Sequence, residues 1–197
     1  MKNYYKNLKL LTKNHVYSEE MEHDACGVGV IVSTEGKKSR EIVEHGINAL
    51  KAVWHRGAVD ADGKTGDGAG IHVEIPKDFF IEKIEVTGHD YDNAEICVGM
   101  IFLPRNDYSA QESCKTIVES ELTKNNFSIY GWRQVPVNPK ILGQKALQTM
   151  PEIIQVLFKS NDQDLLEKDL ERKIYETRKK IEKKAFQLSL NNFYICS

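Results

Sequence analysis

His23-Asp24-Ala25-Cys26-Gly27-Val28-Gly29-Val30-Ile31-Val32 begins as a polar, acidic approach and ends in strict alternation. Cys26, Val28, Val30 and Val32 fall on one side and Gly27, Gly29 and Ile31 on the other. That is the period-2 pattern of a half-buried strand, and it predicts a strand from Cys26 to Val32. The two glycines leave one face almost bare beside the cysteine. Glycine inside a strand marks a place where a ligand or another backbone comes close. A thiol at the mouth of such a strand fits a covalent nucleophile. It also fits a buried structural cysteine, because free cysteine is among the most buried residue types.

Working outward, residues 1–25 differ in character from the rest of the chain. Lys2, Lys6, Lys9 and Lys13 are answered by Glu19, Glu20, Glu22 and Asp24. The segment lacks the apolar stretch of a secretory signal and the Arg/Ser richness of a transit peptide. It reads either as an N-terminal arm or as a propeptide ending at Ala25. After the strand, a helix is expected from Lys38 or Ser39 to about His55, capped by Ser39 and favoured by Glu41 in its first turn. Ile42, Val43, Gly46, Ile47, Leu50, Val53 and Trp54 make its apolar stripe, which should lie on the sheet that the first strand begins. His45 and His55 have no second ligand at useful spacing and read as structural or solvated.

Next comes a glycine-rich loop, Arg56-Gly57-Ala58-Val59-Asp60-Ala61-Asp62-Gly63-Lys64-Thr65-Gly66-Asp67-Gly68-Ala69-Gly70. Ala58 to Thr65 fits a relaxed phosphate-loop pattern ending in Gly63-Lys64-Thr65. A working phosphate loop follows a strand and opens a helix. Here a helix precedes, and Gly66-Asp67-Gly68-Ala69-Gly70 is a poor helix start, with Ile71, Val73 and Ile75 then at strand spacing. The glycines do not have dinucleotide-fingerprint spacing either. The loop is read as a tight turn that lets backbone approach a neighbouring site.

The remainder alternates. Ile96, Val98, Met100 and Phe102 predict a strand ending at Pro104, and Ser109 to about Lys124 a helix capped by Ser109. Phe127 to Val137 is extended and closed by Pro136 and Pro139. Ile141 to Gln148 is a short helix, and Glu152 to Lys159 a strand. The longest helix runs from about Gln163 to Leu188, with Leu166, Leu170, Ile174, Ile181, Ala185 and Leu188 inward and a solvated charged face. Asn192 to Ser197 opens another strand.

Composition bounds the function. A chain of 197 residues with 41% hydrophobic and 28% charged residues fits a soluble domain with a substantial core. A net charge of -2 gives no electrostatic case for nucleic acid or an anionic membrane. No apolar run approaches the roughly 20 residues of a membrane span. Cys26, Cys97, Cys114 and Cys196 form no C-x-x-C pair, so no metal site is expected, and scattered thiols suit a reducing cytoplasm.

Several blocks in one order carry a resemblance. They are Glu22-His23-Asp24-Ala25-Cys26-Gly27-Val28-Gly29, His55-Arg56-Gly57-Ala58, Thr65-Gly66-Asp67-Gly68-Ala69-Gly70-Ile71, Gly131-Trp132-Arg133-Gln134-Val135-Pro136-Val137, Glu171-Arg172-Lys173 and Phe193-Tyr194-Ile195-Cys196-Ser197. In these the chain resembles the N-terminal glutamine amidotransferase domain of the glutamate synthase large subunit. The resemblance implies a class II amidotransferase with the α+β N-terminal-nucleophile hydrolase fold, in which two stacked sheets lie between helical layers. It implies that residues 1–25 are a propeptide, that the bond between Ala25 and Cys26 is cut, and that 26–197 belong to the catalytic domain.

The chemistry explains the cut. A thiol with a pKa of about 8.5 is only partly ionised at neutral pH, whereas a free α-amine of pKa about 8 can accept its proton. An uncut peptide nitrogen has no comparable basicity, so cleavage creates the general base. Cys26 would then attack the side-chain amide of glutamine, release ammonia and leave a thioester for water to hydrolyse. In the parent enzyme the ammonia passes to 2-oxoglutarate, and FMN and an iron–sulfur cluster are expected in the remainder of that enzyme. Arg56, Gly27 and Asp67 are the pocket candidates; Arg56 serves equally as a residue that only pins the glycine loop, and for Asp67 that structural reading is the favoured one.

The family's oxyanion-hole Asn-Gly pair, and the Arg and Asp that hold the α-groups of glutamine, match nothing up to Ser197. Losing one oxyanion donor costs about 10²–10³ in rate. The chain by itself is therefore expected to be an incomplete, poorly active domain. It reads as the front part of a glutaminase working with the other glutamate synthase domains or a complementing downstream chain, or else as a non-catalytic interaction remnant. An N-terminal-nucleophile hydrolase of another amide fits the blocks less closely.

Overall fold

The structure is a computed structural model that describes residue 6 and residues 27–54, 57–162 and 165–196. The chain divides into two compact units, Met1–Gly57 and Ala58–Ser197.

In the first unit the expected strand from Cys26 to Val32 is not formed over its described residues, 27–32, and Cys26 lies outside them. Residues 27–33 have no ladder partner, and Val28, Val30 and Val32 are 92%, 85% and 71% exposed. Alternation selects a face but supplies no partner, and a strand's N–H and C=O groups need a neighbouring backbone. Helix α1 (Arg40–Ala52) does form, with the Ser39 hydroxyl accepting from the Ile42 N–H at 3.4 Å. Ile42, Val43, Gly46, Ile47 and Leu50 are its half-buried stripe. The helix stops at Ala52, short of His55, and Val53 and Trp54 are exposed.

The second unit is built on one antiparallel sheet. Its strands are β1 (Cys97–Leu103), β2 (Phe127–Gln134), β3 (Glu152–Ser160) and β4 (Tyr194–Cys196), in the order β2-β3-β1-β4. Of the two stacked sheets expected, this is the one formed among the described residues. Helices α2 (Lys77–Val86), α3 (Tyr108–Lys124), α4 (Gln144–Thr149) and α5 (Glu167–Gln187) complete the unit.

Both faces of the sheet are covered. Cys97, Ile101 and Leu103 of β1, Ile154, Val156 and Phe158 of β3, and Ile195 of β4 pack with Cys114, Ile117, Val118 and Leu122 of α3 and Ile181 of α5. Leu157 and Tyr130 face the other way, against Phe80 and Ile84 of α2. This explains why β3 is buried continuously from Ile154 to Phe158 rather than alternately. Each fully buried aliphatic side chain contributes about 1.5–3 kcal/mol.

Four local expectations shift. The cap of α3 is Asp107, whose carboxylate accepts from the Ala110 N–H at 2.9 Å, in place of Ser109. Asp and Ser cap equally well, so the tertiary position of the turn decides between them. Helix α5 is trimmed at both ends, leaving Leu166 and Leu188 exposed, while Thr177 joins the buried face by donating its hydroxyl to Lys173 O at 2.8 Å. Ile71 and Val73 belong to no strand and are exposed. Finally, α2 forms where sequence periodicity marked nothing. It has no side-chain cap and is held by Phe80 and Ile84, one turn apart on the buried face.

Helix α2 docks through one glycine. Gly131 of β2 sits at φ +150° beside a register shift between Ile129 and Gly131. A Cβ there would come within 2.7 Å of Thr87 Cγ2 and 2.8 Å of Thr87 Cβ. Thr87 caps the C-terminus of α2, and its hydroxyl lies 2.6 Å from Ile84 O and 2.7 Å from Tyr130 O. The bare glycine thus lets the end of the helix reach the strand backbone.

Candidate active site

Of the four sequence-predicted site residues, Cys26 and Arg56 lie outside the described residues. Gly27 is exposed, and a Cβ added to it would meet nothing within 4 Å. Gly29 is equally open.

Asp67 is described in full. The glycine-rich loop folds as a miniature hairpin in which Val59 bridges Gly66. Asp67 N–H donates to Ala58 O at 3.2 Å and Asp60 N–H to Thr65 O at 2.7 Å. The Asp67 carboxylate accepts from Ala58 N–H at 2.9 Å. The backbone and side chain of Asp67 thus grip both polar groups of Ala58 and close the hairpin mouth. Gly66 is required by space, since a Cβ would lie 2.9 Å from Ala58 O. The Gly63-Lys64-Thr65 stretch is the hairpin's turn and return, not the start of a helix.

The far end of the hairpin is tied to the first turn of α4. Asp62 accepts from Lys64 N–H, Thr65 N–H and the Thr65 hydroxyl at 2.9, 2.7 and 2.6 Å. The Thr65 hydroxyl oxygen also accepts from Ala146 N–H at 3.4 Å, and Lys145 pairs with Asp60 at 2.6 Å. The Thr65 hydroxyl and then the two backbone donors hold the Asp62 carboxyl well below the usual carboxylate range. Local sequence carried only the Asp-x-x-Thr turn signal for this cluster. Its partners, Lys145 and Ala146, are about eighty residues away and left no trace in the pattern.

The three described cysteines share one electrostatic feature, a thiol pKa raised by burial. Burial pushes the Cys97 thiol up to about 12 and the Cys114 thiol up to about 11. Cys196 is also raised by burial. A nucleophile must reach the thiolate, so none of these three is suited to the role. Arg133, in a block shared with the resembled family, donates to buried Gln155 at 2.6 Å and lies over the Phe79 ring at 5.1 Å. Trp132 Nε1 donates to Glu119 at 2.7 Å. These residues staple the sheet to its neighbours. Among the described residues no group of three or more His, Cys, Asp or Glu gathers as metal ligands, and no helix is long and apolar enough to cross a membrane.

The family model described as "Glutamine amidotransferases class-II" matches residues 26–197, beginning at Cys26. The glutamate synthase [NADPH] large chain of Azospirillum brasilense is 51% identical over 191 residues, covering 97% of this chain and 12% of that protein. Ferredoxin-dependent glutamate synthase 1 of Arabidopsis thaliana is 39% identical over 178 residues, covering 89% of this chain and 11% of its own length. Ferredoxin-dependent glutamate synthase 2 of Synechocystis is 36% identical over 177 residues, again 89% and 11%. The chain therefore spans about an eighth of the length of the curated relatives it matches. With a match running from its candidate nucleophile through 197, and with helices packed on an antiparallel sheet, the chain belongs to the class II glutamine amidotransferases, enzymes of the N-terminal-nucleophile hydrolase type.

Proposed function

We propose that this chain is the glutamine-hydrolysing part of a glutamate synthase, and that Cys26 is its nucleophile once residues 1–25 have been removed. The observation that carries the reading is the family match, which starts at Cys26 itself. Two further observations support it. The described thiols are held protonated by burial, and the relatives of 36–51% identity are named as glutamate synthases.

In this mechanism the α-amine of Cys26 takes the thiol proton. Sγ bonds to the side-chain carbonyl carbon of glutamine, the C–N bond breaks, and the amine returns the proton to the departing ammonia. Water then hydrolyses the thioester to glutamate, and the α-amine again handles the proton. Gly27 keeps the approach to the sulfur open, and Arg56 lines the pocket. Asp67 acts through Ala58, because its carboxylate is already engaged there. Ammonia passes to 2-oxoglutarate in the remaining domains or a complementing chain, and the reaction runs in the cytoplasm. FMN and an iron–sulfur cluster would belong to the remainder of the parent enzyme, where they would supply the reducing chemistry.

The test is the intact mass of the protein from its own host, with glutamine-dependent ammonia release measured beside Cys26→Ala. A mass beginning at Cys26, with turnover lost in the variant, is expected. A mass retaining residues 1–25, or ammonia release that survives Cys26→Ala, overturns the mechanism. Turnover absent from the processed wild type selects the non-catalytic remnant.

A further inference from the structure

We infer that the open edge of β4, with the groove between it and α5, is the docking site for an extended, acidic segment of the rest of a glutamate synthase, which adds one further strand to the sheet. The inference rests on the proposed glutaminase function and names the surface by which this chain joins its remaining domains.

In the order β2-β3-β1-β4, β4 pairs with β1 on one side and with no strand on the other among the described residues. An open edge offers backbone N–H and C=O groups as a template for another strand. Only Tyr194–Cys196 form β4, so the ladder alone gives little affinity and side chains must supply the rest. A groove of about 520 Å³ between α5 and β4 supplies them, with Ala185, Phe186, Leu190, Phe193 and Tyr194 in its lining. Phe186 and Tyr194 are 81% and 62% exposed. The turn from α5 into β4 is held by Ser189 N–H donating to Phe186 O at 3.0 Å, Leu190 N–H to Ala185 O at 3.0 Å and Phe193 N–H to Leu190 O at 3.2 Å. The groove is therefore shaped before anything binds, which lowers the ordering cost of docking.

Charge and one buried donor define what the occupant carries. Over residues 178–187, Arg178, Lys179, Lys180, Lys183 and Lys184 outnumber the lone acid Glu182. Lys180 and Lys184 are engaged by Asn125 and Glu121, while Arg178, Lys179 and Glu182 line the groove. Arg178 Nε is buried with no hydrogen-bond partner among the described residues. Glu182 Oε1 lies 3.5 Å away, and Glu182 Oε2 is taken by Lys179 at 2.6 Å. Buried donors are normally paired, and a carboxylate or backbone carbonyl on an incoming strand would pair this one. A second copy docked edge to edge would bring the same cationic stretch against itself, and like charges oppose that contact. The relatives devote about an eighth of their length to the matching stretch, which supplies the occupant as further polypeptide of the same enzyme.

The probes are overlapping synthetic peptides covering the part of the Azospirillum brasilense glutamate synthase large chain outside the matched stretch, titrated against the 197-residue protein. A peptide with alternating apolar residues and a carboxylate should bind, slow amide exchange across Tyr194–Cys196, and bind more weakly as salt is raised. Its affinity should fall about tenfold in Phe186→Ser, and about tenfold in Arg178→Met, which keeps an unbranched side chain without the Nε donor. Phe186 is exposed, so Phe186→Ser should keep the wild-type melting temperature and separate docking from folding. The inference is overturned if no peptide binds at concentrations up to about 1 mM, if the bound peptide leaves those amides exchanging as before, or if Phe186→Ser binds like wild type. A wild type that is already dimeric by sedimentation, with these amides protected, overturns it in favour of a second copy. Docking with residues 1–25 retained rejects the catalytic reading alone, whereas processing and turnover without docking reject this inference alone.

Discussion

Gly131→Ala should detach α2 from the sheet while leaving the α3/α5 side intact. The new Cβ would overlap Thr87 Cγ2 at 2.7 Å and Thr87 Cβ at 2.8 Å, and both belong to the residue that caps α2. Overpacking of this kind costs about 1–3 kcal/mol. A φ of +150° is strained for any L side chain, at a further cost of about 1–3 kcal/mol. If α2 retreats to relieve the overlap, the Thr87 hydroxyl loses Tyr130 O, and Phe80 and Ile84 loosen from Tyr130 and Leu157. Together these amount to about 3 kcal/mol of local destabilisation, or about 10²-fold in an opening equilibrium. Peptide-resolved amide hydrogen exchange reads this directly. Amides in 80–86 should exchange about 10²-fold faster, while those of Ile117–Leu122 in α3 keep their protection. Thr87→Ala removes Cγ2 and Oγ1 from the collision, so the double variant should be less damaged than the sum of the singles. Unchanged α2 exchange in Gly131→Ala, or strict additivity with Thr87→Ala, would refute the argument that this glycine admits the helix end.

Glu121 is nearly fully buried on α3, paired with Lys184 of α5 and 3.6 Å from Lys124. The Lys184 hydrogen bond, outweighing burial, holds its carboxyl below the ordinary range. The folded pKa lies below the unfolded value of about 4.3, so the pairing stabilises fully above that pH and is lost as pH falls through the folded value. Glu121→Gln should flatten the acid side of the stability profile below about pH 4.3, measured as denaturation midpoint against pH; an unchanged slope would reject the assignment. Leu157→Ala opens a cavity at the centre of β3, where the side chain is fully buried, and should cost about 2–5 kcal/mol in denaturant unfolding. A loss below about 1 kcal/mol would mean that the α2 face is not a packed core.

Much of the architecture was legible in local pattern. The helix capped by Ser39, the strand before Pro104, the strand after Pro151 and the long charged helix all formed close to their expected bounds. Each carries its own signal, whether a cap, a proline stop or an apolar stripe, and each signal acts within a few residues. Where a signal needed a distant partner, local reading failed. The alternation of Val28, Val30 and Val32 was clear, yet residues 27–33 pair with no strand. Helix α2 lacked a cap and a strong stripe, and exists because Phe80 and Ile84 find Tyr130 and Leu157 on the sheet.

The candidate site divides in the same way. The sequence by itself determined the family and singled out Cys26, because the ordered blocks and the thiol beside its glycines are properties of residue identity. Only the tertiary structure decided what Asp67, Thr65 and Gly143 do. The carboxylate of Asp67 closes on Ala58, the hydroxyl of Thr65 bridges Asp62 and Ala146, and Gly143 leaves the space in which they meet. Contacts across about eighty residues depend on how the sheet turns the chain back, and no period of 2 or 3.6 encodes that return.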